Sequence, residues 1–144
     1  MSPSAHSGLA YGQITTREPV ATEQRLVSHT VTTPVSQGQT RSEVEAKVRE
    51  YFQDIPIMVE IARCESTFRH RLSNGEVLRG YVDGADTGVM QINLRYHQRT
   101  ADQLGLDMEN IYDNMAYARY LYERQGTQPW NASAPCWNRH VAIN

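Results

Sequence analysis

The chain has 144 residues, with 14 Lys and Arg against 16 Asp and Glu, a formal charge of −2 and a pI near 6.2. That balance gives no electrostatic case for binding nucleic acid or anionic lipid. Hydrophobic residues at 40% and charged residues at 21%, with no apolar run near the roughly 18 to 20 residues of a membrane helix, suit one soluble globular domain.

Residues 1–40 hold twelve Ser or Thr, three Pro and three Gly, and show no sustained period of 2 or 3.6. Residues 1–41 are therefore expected to be a disordered or extended tail, with the folded domain at 42–144. The stretch "RLVSHTVTTPV" is rich in β-branched residues and suits an extended segment. The first twenty residues lack the apolar core of a secretory signal. A chain of this kind is either cytosolic or exported with its signal absent from the sequence.

Order is predicted from "SEVE", a capping box in which Ser42 accepts from the backbone and Glu45 reaches back. Val44, Val48, Tyr51 and Phe52 follow as a helical stripe. A second helix begins at "DIPIMVEIARCE", with Asp54 as cap and Pro56 in the first turn. Ile57, Ile61, Cys64 and Phe68 share one face of it. Glu65 falls at the edge of that stripe, where a carboxyl is set to have a raised pKa. Its plain alternative is a surface charge paired with Arg69 one turn on.

Next, Asn74-Gly75 marks a tight turn, and "EVLRGYV" and "DGADTG" predict two or three short antiparallel strands. Helices resume at "YHQRTADQLGL" and at "ENIYDNMAYARYLYERQG", where Ile111, Met115, Ala118 and Tyr122 line one side and Gly126 caps the end. The closing "TQPWNASAPCWNRH" reads as a loop carrying both tryptophans and the second cysteine. The fold class expected is α+β, mainly α, with a small antiparallel sheet or hairpin.

Gln91 can donate and accept at once, which suits sugar hydroxyls and acetamido groups, and strand alternation sets it opposite Met90 and Ile92. Asn93 is a second candidate of this kind, and Gly88 permits close backbone approach. Asp83 and Asp86 form turns or, in a hydrolase, one of them is the second carboxylate that activates water. Cys64 and Cys136 are two buried thiols or a bridge. With His70, His97 and His140 they lack the short paired spacings of structural zinc, so no metal is expected. The histidines read as surface or packing residues, with His97 at a cleft margin.

"CESTFR" and, 23 residues beyond its glutamate, "GVMQI" resemble the Glu-Ser-x-Phe and Gly-x-Met-Gln motifs of the soluble lytic transglycosylases, in the lysozyme-like superfamily. Cysteine before the glutamate and a late Trp/Cys segment are similar to the resuscitation-promoting factors. The likeness covers roughly residues 43–138. It implies a lysozyme-like domain, monomeric and cofactor-free, acting on the glycan strands of peptidoglycan at the β-1,4 bond between N-acetylmuramic acid and N-acetylglucosamine. Glu65 takes the catalytic role, first as acid and then as base, giving 1,6-anhydro products; Ser66 and Gln91 contact substrate. The resemblance also implies a Cys64–Cys136 bridge, and with it an exported, oxidising location. The family's late Ala-Tyr-Asn segment is replaced by "PWNAS", so its place falls to Trp130 and Asn131 or, in preference, to Tyr117 on a helix like one that faces the family's cleft. The rival readings are an inverting, goose-type muramidase using Asp86 or Asp83, and a catalytically silent module that binds glycan or protein.

Overall fold

Thr40, not Ser42, starts the first helix. In the computed structural model, which describes residues 39–141, α1 spans Arg41–Tyr51. The Thr40 hydroxyl accepts from the Glu43 amide (3.3 Å), and the Glu43 carboxylate accepts from the Thr40 amide (2.8 Å). "TRSE" thus closes the capping box two residues earlier than expected, because Thr40 is extended (φ −65°, ψ 155°) while Ser42 is already helical. Glu45 pairs instead with Arg49 on the next turn. The rest of the predicted tail lies outside the described residues.

Helix α2, Pro56–Ser66, has proline in its first turn, as predicted, but no side-chain cap. Asp54 turns away to meet Arg119 in a two-pronged pair (2.8 and 2.9 Å), and the same guanidinium donates to the Tyr51 carbonyl at 2.7 Å. The α1–α2 corner is thereby bolted to a later helix. Met58, Val59, Ile61 and Ala62 form the buried face of α2; Ile57, Cys64 and Glu65 are half-buried at its margin. The helix ends in two left-handed non-glycine residues, Thr67 (φ 51°) and Phe68 (φ 56°). That costs roughly 1–2 kcal/mol per residue, and burial of the Phe68 ring offsets it.

The Asn74-Gly75 turn forms as predicted, with Gly75 at φ 87°. The sheet is small, as expected, though "EVLRGYV" contributes only isolated bridges to it. Strands β1 (Asp86–Thr87) and β2 (Ile92–Asn93) pair antiparallel over two residues each, with isolated bridges at Arg71–Val77 and Arg79–Thr87. Such a short ladder leaves the backbone between the strands unpaired, so buried side chains hold it. Asn114 accepts from the Met90 amide (3.0 Å) and donates to the carbonyls of Thr87 (2.9 Å) and Met108 (3.0 Å). His70 accepts from the Val89 amide at Nδ1 (3.1 Å) while Nε2 donates to the Glu109 carbonyl (2.7 Å). That pairing requires the neutral ring, and burial pulls the His70 pKa below its ordinary value. Trp130 donates its indole N–H to the Met90 carbonyl (3.0 Å).

Helix α3 (Leu94–Gln103) is capped by Asn93; α4 (Ile111–Gln125) is capped by Asn110 and closes at Gly126 (φ 60°). The segment expected to be a loop is helical: a 3-10 turn at Gln128–Ser133 and then α5, Ala134–Val141. Its prolines sit in the first turn of each piece, where proline starts a helix, and Trp130 and Trp137 anchor it in the core. Helix α2 packs on α1, on α5 and on the 3-10 turn, and Cys64 is disulfide-bonded to Cys136, with Cα atoms 6.0 Å apart. Among the described residues no helix is long and apolar enough to cross a membrane.

The bridge joins residues 72 apart, so on chain-entropy grounds replacing both cysteines by serine should cost about 4 kcal/mol, read as a lower urea midpoint. Gly88 (φ 73°) is wedged so tightly that a Cβ there would stand 2.6 Å from the Asn114 amide nitrogen and 2.7 Å from the His70 ring. Gly88→Ala should therefore destabilise by about 3 kcal/mol in the same assay.

Candidate active site

Glu65 sits in the last turn of α2, half-buried, in the wall of an open cleft of about 330 Å³. Asp86, Gln91 and Asn93 come to that cleft from the hairpin, Tyr96 and His97 from α3, and Trp130 from the 3-10 turn. Burial pushes the Glu65 carboxyl above its ordinary pKa; the Ser133 hydroxyl, which donates to Oε1 at 2.6 Å, opposes that shift, and the charge of Asp86 adds to it. The surface-pair alternative does not occur: Arg69 turns its Nε to the Ser66 carbonyl (3.2 Å).

Ser133 is the contact that the sequence reading missed. Its signal was the disulfide, since Cys136 lies three residues on, and tying it to Cys64 brings this segment against Glu65. The Ser133 oxygen also lies 3.1 Å from the Trp130 carbonyl, which accepts the Trp137 indole N–H as well. The hydroxyl has one proton for two acceptors. Donated to Glu65, it fixes Oε1 as the acceptor oxygen and leaves Oε2 as the atom able to carry a proton.

Gln91 lines the cleft as expected, but a left-handed turn (φ 50°) puts it there rather than strand alternation. Its Nε2 donates to the Gly88 carbonyl (2.9 Å), and no protein donor among the described residues meets its Oε1. Asn93 also lines the cleft, but its amide is committed: Oδ1 caps α3 through the Arg95 amide (3.0 Å), and Nδ2 bridges Asp83 (3.0 Å) and Asp86 (2.9 Å). It positions Asp86 and has no donor left for a ligand. Asp83 stays out of the cleft as a turn residue, accepting from the Ala85 amide (3.0 Å) and pairing with Arg95 (3.1 Å).

Three expected contacts are not made. Ser66 is buried and donates back to the Ala62 carbonyl (2.9 Å), the ordinary bond of a serine at a helix end. Tyr117 is buried in the core of α4; its hydroxyl shares a 3.0 Å hydrogen bond with His97 Nδ1, so His97 and not Tyr117 faces the cleft. Asn131 is exposed and outside the cleft lining, while its neighbour Trp130 gives a wall. Among the described residues no cluster of His, Cys, Asp or Glu is arranged to hold a metal.

No family model, curated protein or solved structure matches this chain.

A carbon-13 titration of the Glu65 carboxyl should give a pKa above 4.5, raised further in Ser133→Ala and lowered in Asp86→Asn. Because the folded value is the higher one, the stability Glu65 contributes is full below the unfolded pKa and is lost as pH rises through the folded pKa. Glu65→Gln should therefore gain stability over the parent at pH 7, with the advantage vanishing below about pH 4.5, read as the difference in urea midpoints against pH.

Proposed function

We propose that this chain is an exported lytic transglycosylase that cleaves the β-1,4 bond between N-acetylmuramic acid and N-acetylglucosamine in peptidoglycan. The observation that carries the reading is Glu65: a carboxyl pushed toward its protonated form in the wall of an open cleft, with one oxygen pinned by Ser133. Breaking a glycosidic bond needs such an acid, because the leaving sugar oxygen is too basic to depart unprotonated. Disulfide Cys64–Cys136 supports an oxidising destination.

In this mechanism the Oε2 proton of Glu65 passes to the glycosidic oxygen, the bond to C1 breaks with its electron pair on that oxygen, and positive charge spreads over C1 and the ring oxygen. The resulting carboxylate removes the proton of the muramic C6 hydroxyl. O6 then bonds to C1, closing a 1,6-anhydro ring with no water consumed. Gln91, whose side-chain oxygen has no donor among the described residues, accepts from a sugar hydroxyl or acetamido N–H, and the exposed Tyr96 ring offers a face at the cleft rim.

Asp86 sustains a second reading. It lines the same cleft and is held there by Asn93, so an inverting hydrolase would use it to activate water, whereas Asp83 is withdrawn from that role by its turn and Arg95 contacts.

Mass spectrometry of soluble products from intact peptidoglycan separates these readings. Anhydro-muropeptides, one water lighter than hydrolytic products, are expected; Glu65→Gln should lower their yield about a thousandfold and Asp86→Asn far less. Reducing-end products lost in Asp86→Asn would establish hydrolysis. A folded protein that binds glycan and releases nothing would be a silent binding module.

A further inference from the structure

At the start of α1 lies a second pocket, of about 480 Å³, lined chiefly by Gln39, Arg41, Arg69, Arg71, Ser73 and Asn74. It presents three guanidinium groups and, among the described residues, no carboxylate. On a chain with net charge −2 such a grouping is not background basicity. None of the three arginines has an acidic partner among the described residues. Backbone carbonyls hold two of them: Arg69 donates from Nε to Ser66 (3.2 Å), and Arg71 donates from Nη1 to Gly75 (2.9 Å) and from Nη2 to Glu109 (2.9 Å). Two acids stand nearby and each has a partner, Glu109 with Arg79 (2.9 Å) and Glu76, at the pocket's edge, with the side-chain amide of Asn74 (2.8 Å). Carbonyl contacts orient a guanidinium without neutralising it, and the terminal nitrogens of Arg69 and all of Arg41 remain unbonded among the described residues. Guanidinium forks fixed in this way match planar oxyanions.

We propose that this pocket binds the carboxylates of a peptide. The proposal rests on the reading of Glu65 above: the glycan cleaved there carries acidic peptides, and Arg69, four residues along the chain, is no more than about 15 Å from Glu65 in backbone reach. A stem of a few residues spans that distance. The pocket would then favour glycan whose peptides retain free carboxylates.

The test titrates the full chain with a soluble muramyl pentapeptide bearing free carboxylates, with the same peptide fully amidated, and with sodium phosphate, following the arginine Nε resonances by NMR. Shifts of the Arg69 and Arg71 signals with the carboxylate peptide alone are expected, with an affinity, read from the Arg71 signal, that falls about tenfold in the Arg41→Ala/Arg69→Ala double variant and is unchanged in Glu65→Gln. On glycan stripped of peptide the double variant should cleave at the parental rate, and on intact glycan more slowly. Equal binding of the amidated peptide, phosphate binding of equal strength, or cleavage of both glycans at parental rates would overturn the proposal. Peptide binding at the arginines in a chain that cleaves no glycan would leave the pocket standing and remove the reading of Glu65 instead.

Discussion

The cleft depends on one buried amide. Asn114 makes three hydrogen bonds to main-chain atoms of Thr87, Met90 and Met108, and it does so from the interior of α4 with no exposed surface. A ladder of two residues per strand cannot hold the hairpin by itself, and a peptide group left unpaired in the interior costs on the order of 1–3 kcal/mol. Asn114 supplies the missing partners, with His70 and the Trp130 indole completing the set. Gly88 is needed because these polar side chains press on its α-carbon, and the same turn delivers Gln91 and Asp86 to the cleft. A helix-borne amide thus does the work that a wider sheet would do with its own backbone.

Around Glu65 the balance is between desolvation and a single hydroxyl. Burial and the Asp86 charge favour the neutral acid, while Ser133 favours the anion. Burial outweighs the hydroxyl, so the carboxyl stands above its ordinary pKa. Asn93 takes part at one remove. By sharing its amide between Asp83 and Asp86 it holds one carboxyl in the cleft and one at the turn.

Much of this was legible in the residues. Helix periods located α2 and α4, the Asn-Gly turn and the Gly126 cap fell where turn chemistry puts them, and Glu65 stood at the edge of an apolar stripe. The errors have physical causes. Thr40 and Ser42 both begin a plausible capping box, and only the backbone angle of Thr40 decides between them. The closing segment reads as a loop in sequence, yet its two prolines are first-turn residues of the 3-10 turn and of α5. Tyr117 was expected in the cleft because its helix resembles one that faces the family's cleft, yet spacing does not tell an aromatic behind the cleft wall from one in it; the hydrogen bond to His97 does. Asn114 and Ser133 left no periodic trace, since each acts through contacts made across the fold.

The disulfide has a consequence in time. Cys64 adjoins Glu65 in sequence, and Cys136 follows Ser133 by a single turn, so one covalent bond spans both halves of the carboxyl's surroundings. Synthesis makes the acid some seventy residues before the hydroxyl that steadies it, and oxidation adds a covalent tie to the packing that joins the two segments. The bond that spans both segments can form only once Cys136 has been made and an oxidant met. On the proposed function, a wall-cutting chain would be born unfinished and would mature where its substrate lies.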